Sequence, residues 1–145
     1  MGVELAAVRR RAPNRAPRVL DVGGGSGAWA VPLAKAGCAV SVVDPSPNAL
    51  ATLVRRARDA GVHELITPVS GDVDALADVA PLHHADLVLG HGLLEVVDDV
   101  ASAVRAMTRA AAPGGAVSVL VAGRFAAVLA RTLAERLAEA RAVLA

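Results

Sequence analysis

The chain has 145 residues, a formal net charge of +1 and a hydrophobic content of 54%. Its length suits one domain with a substantial core, and the small charge excludes a global attraction to nucleic acid. The longest apolar stretch, residues 115–130, is interrupted at Gly123-Arg124 and falls short of the roughly 20 apolar residues that span a bilayer, so no membrane association is expected. The single cysteine, Cys38, excludes an internal disulfide and a cysteine-based metal cluster, and no metal site is predicted. No signal peptide is evident, and a reducing, cytoplasmic setting is expected.

The first 17 residues are predicted to form a short helix and a basic linker. Apolar Leu5 and Val8 fall on one side of a helix over residues 2–12, and residues 14–17 are predicted to form a loop. Five arginines cluster here before the first strand, at positions 9, 10, 11, 15 and 18. They indicate a solvated surface or, as the alternative, a basic patch that docks RNA.

Strands and helices alternate from residue 18 onward. Five apolar strands are predicted, at residues 18–22, 39–43, 65–69, 86–89 and 116–121. Helices are predicted between them, at residues 26–36, 46–60 and 73–79 and around 100–107, with a last one carrying Leu129, Leu133 and Leu137. This order predicts a doubly wound, Rossmann-like α/β fold, in which a parallel sheet of about five strands has helices on both faces.

The most informative segment is the glycine-rich turn that follows the first strand. Glycines at positions 23, 24, 25 and 27 let the backbone turn through positive φ and bring bare main chain close to a ligand. Ser26 is expected to cap the following helix, whose free N–H groups suit an anionic group. Asp21 adds a carboxylate beside the same turn.

Other polar residues also fall at the predicted carboxyl ends of strands. Asp44 follows strand two, Asp72 follows strand three, and residues 90–95 follow strand four. Ligands of doubly wound sheets bind at this edge, so the four loops are expected to form one site.

A dinucleotide site is the first alternative for this edge. Gly23, Gly25 and Ala28 satisfy the loose form of that pattern, and Asp44 lies near the required distance. The pattern does not ask for a carboxylate at Asp21, however, and the chain has no tyrosine for the common Tyr-Lys arrangement of hydride transfer. The absence of a Gly-Lys-Ser/Thr sequence excludes a P-loop.

The arrangement resembles the class I S-adenosylmethionine (SAM)-dependent methyltransferases over residues 18–122. Residues 19–27, Val-Leu-Asp-Val-Gly-Gly-Gly-Ser-Gly, resemble the first motif of that family. Residues 42–46 resemble its second-strand motif, residues 71–73 its third, residues 85–89 its fourth strand and residues 113–115 the turn before strand five. The order and spacing of these segments carry the resemblance.

The resemblance implies SAM as the cofactor and a role for each matching residue. The glycines would contact its methionine part, Asp21 its ammonium group, Asp44 both ribose hydroxyls, and Asp72 with the Val73 N–H the adenine. The cofactor-binding residues predicted in this way are Asp21, Gly23, Gly25, Gly27, Asp44, Pro45, Asp72, Val73 and Gly90. The alternative roles of these residues are turn formation, helix capping and a solvated loop.

Residues 90–97 resemble a segment of one subgroup of these enzymes, which includes the methyltransferase of 5-carboxymethoxyuridine in tRNA. His91 would then lie near the transferred methyl group and is the candidate catalytic base, with hydrogen bonding within the loop as the alternative. The acceptor is predicted to be a small molecule or tRNA. Because the cofactor already carries a good leaving group, the protein is expected mainly to align donor and acceptor.

Family members usually continue into an antiparallel hairpin, which this sequence lacks. Residues 18–145 are therefore predicted to form a SAM-binding core without the C-terminal hairpin, and the edge of strand five is expected to promote self-association. Two alternatives to a methyltransferase stay open: an NAD(P)-binding oxidoreductase fragment, and a SAM-binding domain without catalytic activity.

Overall fold

In the computed structural model of the chain, residues 2–11 and 14–123 are described, and they form a parallel sheet between two layers of helices. The strands are β1 (Arg18–Val22), β2 (Ala39–Asp44), β3 (Ile66–Ser70), β4 (Ala85–His91) and β5 (Ala111–Leu120). The helices are α1 (Gly2–Arg11), α2 (Ala30–Lys35), α3 (Pro47–Asp59), α4 (Leu76–Val79) and α5 (Val100–Ala110). Short 3₁₀ turns precede β3, α4 and α5.

The strand order is β3-β2-β1-β4-β5, and every pair is parallel. The chain starts at the centre of the sheet, extends to one side through β3 and then crosses to the other side at β4. The boundary between β1 and β4 is therefore the switch point, where crevices open at the carboxyl ends of strands. The predicted doubly wound α/β fold is confirmed.

Two apolar cores lie on opposite faces of the sheet. Helices α1, α2 and α3 cover one face, where Val19, Val42 and Leu89 point from the strands. Helices α4 and α5 cover the other face, against Leu20 and Val88. Such strands are apolar along their whole length because both of their faces are buried, which accounts for the high mean hydropathy of +0.50.

Helix α2 begins later than predicted, and Ser26 is not its cap. The helix starts at Ala30, and its N-cap residue, Trp29, makes no side-chain capping bond. Gly25 and Gly27 have φ values of +55° and +81°, so the chain cannot enter a right-handed helix until it has passed them. The Ser26 hydroxyl instead accepts a hydrogen bond from Arg56 of α3 at 3.2 Å.

The turn predicted at residues 113–115 lies inside β5, as a bulge. Ala85 pairs with Ala111 and Leu87 pairs with Ala116, so the residues between them loop out opposite a single residue of β4. Gly114 has a φ of +74°, and a Cβ on Gly115 would lie 2.9 Å from the carbonyl oxygen of Ala112. The strand is longer than the predicted 116–121 because its pairing with β4 begins before the glycines and resumes after them.

The predicted cap and end of α3 are confirmed, whereas the predicted apolar face of α5 is only partly buried. Ser46 caps α3 by accepting from the Ala49 N–H at 3.3 Å, and Gly61 follows its end at a φ of +70°, as expected. On α5, Ala103 and Met107 are buried, but Val100 and Val104 are exposed because the helix turns them away from the sheet. The predicted last helix lies outside the described residues, and none of the helices described is long and apolar enough to cross a membrane.

Candidate functional site

The glycine-rich turn links the ends of β1 and β2 through main-chain bonds. The Gly23 N–H donates to the Val43 carbonyl at 2.8 Å, and Gly23 itself has a φ of +71°. A Cβ at Gly23 would approach Leu93 to 3.1 Å, and one at Gly27 would approach Leu53 to 2.3 Å. Gly23 therefore keeps the turn close to the loop after β4, whereas Gly27 lets the turn pack on α3.

Asp21 is buried beneath this turn. The residue is 1% exposed, and its Oδ2 atom has no hydrogen-bond partner among the residues that the structure describes. Burial first, and then the neighbouring charge of Asp44, raise the pKa of Asp21 to about 7. The free protein thus holds a carboxyl group whose negative charge is not compensated and which a cation would stabilise.

Gly24 belongs to the predicted turn but was not among the predicted cofactor-binding residues. A Cβ on Gly24 would lie 2.5 Å from Asp21 Oδ2 and 2.8 Å from Val42 Cγ1. Gly24 is therefore the residue that makes room for the Asp21 carboxyl. The run of three glycines was visible in the sequence, but the need for a glycine at the middle position comes from this contact.

Asp44 connects the glycine turn to the end of β2 through hydrogen bonds. Its Oδ2 accepts from the Gly25 N–H at 2.9 Å, and its Oδ1 accepts from the Ser46 N–H at 2.9 Å. The residue is 8% exposed, so it is not the solvated side chain of the alternative interpretation. Each carboxylate oxygen has a second lone pair and can still accept a hydrogen bond from a hydroxyl group.

Asp72 caps the short turn that follows β3. Its Oδ1 accepts from the Val73 N–H at 2.6 Å, and Val73 is buried. The adenine contact that the resemblance implies for this N–H would require the bond to Asp72 to open or to be shared. The capping role predicted as the alternative is present, and it does not exclude a contact through the other carboxylate oxygen.

These loops surround one cleft of about 380 Å³ at the carboxyl edge of the sheet. This volume is within the roughly 300–1,000 Å³ typical of small-molecule sites. Six of the predicted residues line it, namely Gly23, Asp44, Pro45, Asp72, Val73 and His91. Four do not: Asp21 lies beneath the turn, Gly25 binds Asp44, Gly27 packs on Leu53, and a Cβ on Gly90 would approach Met107 Sδ to 2.7 Å. Cofactor contacts by all ten residues stay predictions.

His91 lies at the end of β4 between two neighbours. Its Nε2 is 3.0 Å from the Ser118 hydroxyl, and the Trp29 ring meets it edge-on at a centroid distance of 5.0 Å. Its Nδ1 is buried, and no hydrogen-bond partner for it lies in residues 2–11 or 14–123. Burial lowers the pKa of His91 and so favours the neutral form of the ring.

Glu95 joins the loop after β4 to the chain after β5. Its Oε1 accepts from the Ala122 N–H at 2.6 Å. This bond between two segments orients the loop after β4. The contact closes one side of a second pocket, beside Trp29 and His91.

The basic linker lies at the opposite edge of the sheet. Arg15 binds Asp86 through two hydrogen bonds of 2.5 and 2.7 Å, and the Arg18 N–H donates to the same carboxylate at 2.8 Å. Arg18 also faces His84 at 3.1 Å. Because Asp86 lies at the start of β4, these two arginines are paired about one strand length, roughly 17 Å, from the cleft.

The cleft has the chemistry that an adenosyl sulfonium requires. A backbone turn without side chains can approach the ligand closely, carboxylates at Asp44 and Asp72 suit hydroxyl and amino groups, and uncompensated Asp21 suits a nearby cation. We therefore find that the residues present fit SAM. Asp44 would hold the ribose, the turn at Gly23 would hold the methionine part, and Asp72 would hold the adenine.

Comparison with known proteins agrees with this chemistry. A family model described as a methyltransferase domain matches residues 19–115, more than half of the chain. The ubiquinone biosynthesis O-methyltransferase of Methylocella silvestris is 36% identical over 121 residues, which cover 83% of this chain and 43% of the relative. The protein of the same name from Methylococcus capsulatus is 39% identical over 100 residues, or 69% of this chain and 41% of the relative.

One of the similar solved structures contains a bound ligand. The SAM-dependent methyltransferase from Geobacter sulfurreducens, in complex with S-adenosyl-L-homocysteine, superposes with a TM-score of 0.62 at 25% identity, over 82% of this chain and 47% of that one. The chain spans less than half of the length of these three relatives. The likeness of residues 90–97 to a tRNA-modifying subgroup is not tested by them and stays a prediction.

Proposed function

Because the chain belongs to the class I SAM-dependent methyltransferases, we propose that it binds SAM in the cleft beside Gly23 and directs its methyl group to a hydroxyl acceptor. The observation that carries the proposal is Asp44, whose carboxylate is held by two backbone N–H groups at the rim of that cleft. The choice of an oxygen acceptor rests on the names of the relatives. Asp44 alone would also suit the ribose of a dinucleotide, and the match to the methyltransferase family model favours SAM over that alternative.

The residues of the chain contribute mainly by alignment. When bound, the cofactor supplies an electrophilic methyl group on a positively charged sulfur. Asp44 and the glycine turn would hold its two ends, and this would restrict the orientation of the reacting atoms. Burial favours the neutral form of His91, which lies in the cleft wall, so it is the group that we expect to accept a proton from the acceptor.

Titration calorimetry with S-adenosylhomocysteine tests the cofactor assignment. We expect saturable binding, which Asp44→Asn weakens by about 1–3 kcal/mol. The amide preserves the shape of the side chain, but its NH₂ group must face the Gly25 or the Ser46 N–H, both of which are donors. Asp59→Asn, at the exposed end of α3, is the matched control and is expected to bind like the wild type.

Two outcomes would overturn the assignment. One is the absence of any heat with S-adenosylhomocysteine, together with binding of NADPH. The other is equal affinity of the Asp44→Asn and wild-type proteins. Transfer of a tritiated methyl group to small phenols or to pooled tRNA then separates an enzyme from a domain that only binds the cofactor.

A further inference from the structure

A hollow of about 200 Å³ lies toward the amino ends of β1, β2 and β3, on the sheet face that α4 and α5 cover. It forms because α4 has only four residues and ends at Val79, after which the chain leads to β4. The volume is below the roughly 300–1,000 Å³ of drug-sized sites and suits a smaller molecule. We call this hollow the amino-side pocket, and its lining includes Arg18, Ser41, Val43, Glu64, Thr67 and His84.

We propose that the amino-side pocket is a second ligand site and that it binds small zwitterions in which an apolar spacer separates a carboxylate from an ammonium group. The carboxylate would lie beside Arg18, and the ammonium group would lie beside Glu64. This inference does not depend on the proposed function, because the pocket needs no bound cofactor and shares only Val43 with the described lining of the cleft.

Arg18 gives one end of the amino-side pocket a positive charge. Its guanidinium group contacts Asp86 at 3.3 Å, but that carboxylate already accepts two hydrogen bonds from Arg15, of 2.5 and 2.7 Å. Two arginines therefore share one carboxylate, and one positive charge among these three residues is not neutralised. His84 Nδ1 lies 3.1 Å from Arg18 Nη1 and accepts from it, because arginine can only donate, so the imidazole ring orients the guanidinium group.

Glu64 gives the opposite end of the amino-side pocket a negative charge. It lies just before β3, whereas Arg18 begins β1, and β2 separates these two strands. Neighbouring strands are about 4.8 Å apart, so the two backbones are roughly 10 Å from each other. Arg18 pairs with Asp86 and not with Glu64. A ligand with one charge at each end of a spacer matches both groups, whereas a simple anion would be repelled by Glu64 and a simple cation by Arg18.

The floor between the two charged ends combines hydroxyl and apolar groups. The register of β2 and β3 pairs Ser41 with Thr67 and Val43 with Val69, and all four residues line the amino-side pocket. Because alternate residues of a strand point to the same face, the two hydroxyls lie beside the two valines. Leu65, which is 37% exposed, adds a further apolar side chain. An apolar spacer would cover this surface, and the hydroxyls can donate to the ligand carboxylate.

Calorimetric titration of the full chain with three probes tests this pattern of charge. The probes are 4-(aminomethyl)benzoate, which carries both charges, and benzoate and benzylamine, which carry one each. We expect 4-(aminomethyl)benzoate to bind roughly tenfold more tightly than either of the others, because each of these lacks one charged hydrogen bond. An excess of S-adenosylhomocysteine should leave this binding in place, because the amino-side pocket lies outside the cleft.

Substitutions at the two ends of the pocket should affect the probes differently. Arg18→Gln should weaken the binding of 4-(aminomethyl)benzoate and benzoate by roughly tenfold without weakening that of benzylamine, and Glu64→Gln should spare benzoate instead. Arg105→Gln is the matched control, because Arg105 is an exposed arginine of α5 that does not line the pocket. Thr67→Val removes a hydroxyl but suits a strand equally well, so it should weaken only the two carboxylate probes even if Arg18→Gln fails to fold.

Nuclear magnetic resonance of the four histidine rings locates the bound probe. Binding of 4-(aminomethyl)benzoate should shift the resonances of His84, which lines the amino-side pocket, and leave those of His91 unchanged. Absence of binding, similar affinities for the three probes, or equal losses in Arg18→Gln and Arg105→Gln would overturn the proposal. Displacement of the probe by S-adenosylhomocysteine, or a shift of His91 in place of His84, would mean that the probe binds in the cleft and would contradict the proposal as well.

Discussion

Gly24 shows how one residue determines the shape of the turn above β1. Its position against Asp21 and Val42 leaves no space for a methyl group. We expect Gly24→Ala to lower the free energy of unfolding by about 1–3 kcal/mol, as overpacking does, and to weaken the binding of S-adenosylhomocysteine. Urea unfolding and calorimetry measure the two effects.

Gly123→Ala is the control for this substitution. Neither Gly24 nor Gly123 has a positive φ, and a Cβ on Gly123 would meet no atom of the described part of the chain within 4 Å. The two variants therefore carry the same chemical change and differ only in the space around it. A Gly24→Ala protein as stable as Gly123→Ala would show that the turn relaxes freely.

Asp21 makes the stability of the protein depend on pH. Its pKa is about 7 in the folded protein, above the value of roughly 3.9 expected when unfolded. At pH values between these two pKa values, the folded state retains a proton that the unfolded state has lost. Through this group, the free energy of unfolding therefore falls as the pH rises from about 4 to 7. Asp21→Asn removes the effect, and the stability of the variant relative to the wild type should grow by about 1.4 kcal/mol per pH unit in that window.

Urea unfolding at several pH values tests this expectation. The advantage of Asp21→Asn should be absent near pH 4, grow up to pH 7 and stay constant above it. Asp59→Asn should show no comparable trend, because its side chain is exposed on α3. A constant difference between Asp21→Asn and the wild type at every pH would contradict the raised pKa.

At the residue scale, the sequence predicted most of the residues that line the cleft but not their packing or their hydrogen bonds. Asp44, Asp72 and the glycines were predicted from their places after apolar strands, because parallel strands end at a common edge. The sequence did not reveal that Gly24 makes room for Asp21, or that Val73 donates to Asp72. These facts depend on distances between segments and on the local geometry of the turn.

At the element scale, Asp86 connects the linker before β1 to the start of β4. It accepts from Arg15 and from the Arg18 main chain, and the Arg15 hydrogen bonds hold the pKa of Asp86 well below its usual range. A depressed acid pKa stabilises the fold above the unfolded pKa of about 4 and ceases to do so as pH falls below it. Asp86→Asn should therefore be less stable than the wild type at pH 6.

The difference in stability between Asp86→Asn and the wild type should shrink as the solution is acidified below about pH 4. Thermal unfolding at a series of pH values measures it, and Asp78→Asn, an exposed residue of α4, serves as the control. A difference that persists undiminished in acid would mean that Asp86 acts by packing and not by charge.

The starts of α2 and β5 illustrate the limits of prediction for single elements. The existence and type of both were predicted from apolar pattern and flanking glycines. The predicted first residues of both elements were wrong. Helix α2 begins later because Gly25 and Gly27 have positive φ, and β5 begins earlier because its pairing with β4 already starts at Ala111, before the bulge. Local patterns do not contain the pairing partner that decides such boundaries.

At the scale of the whole molecule, the outer edge of β5 is one of the two edges of the sheet, and the other belongs to β3. No strand in the part of the chain that the structure describes pairs with this edge, and Val119, Leu120 and Val121 are exposed along it. We expect concentration-dependent self-association, because unpaired edges recruit other strands. Light scattering should give a mass that rises with concentration, and Val119→Lys should reduce the rise.

A mass equal to that of the monomer at the highest attainable concentration would contradict this expectation. Val119 does not line the cleft beside Gly23, so its substitution tests the edge without altering that cleft. Binding of S-adenosylhomocysteine to Val119→Lys should match the wild type, which distinguishes an effect on association from an effect on the cleft.

The sequence by itself determined the α/β class, the five strands and the edge at which the site would form. It could do so because burial on both faces makes parallel strands continuously apolar and because glycines and acidic residues follow directly after them. Tertiary structure alone decided that His91 stands between two cavities, that Asp21 is uncompensated, and that Trp29 and Val121 share a pocket. Each of these depends on groups far apart in the chain that the packing of the sheet and its loops brings within a few ångströms.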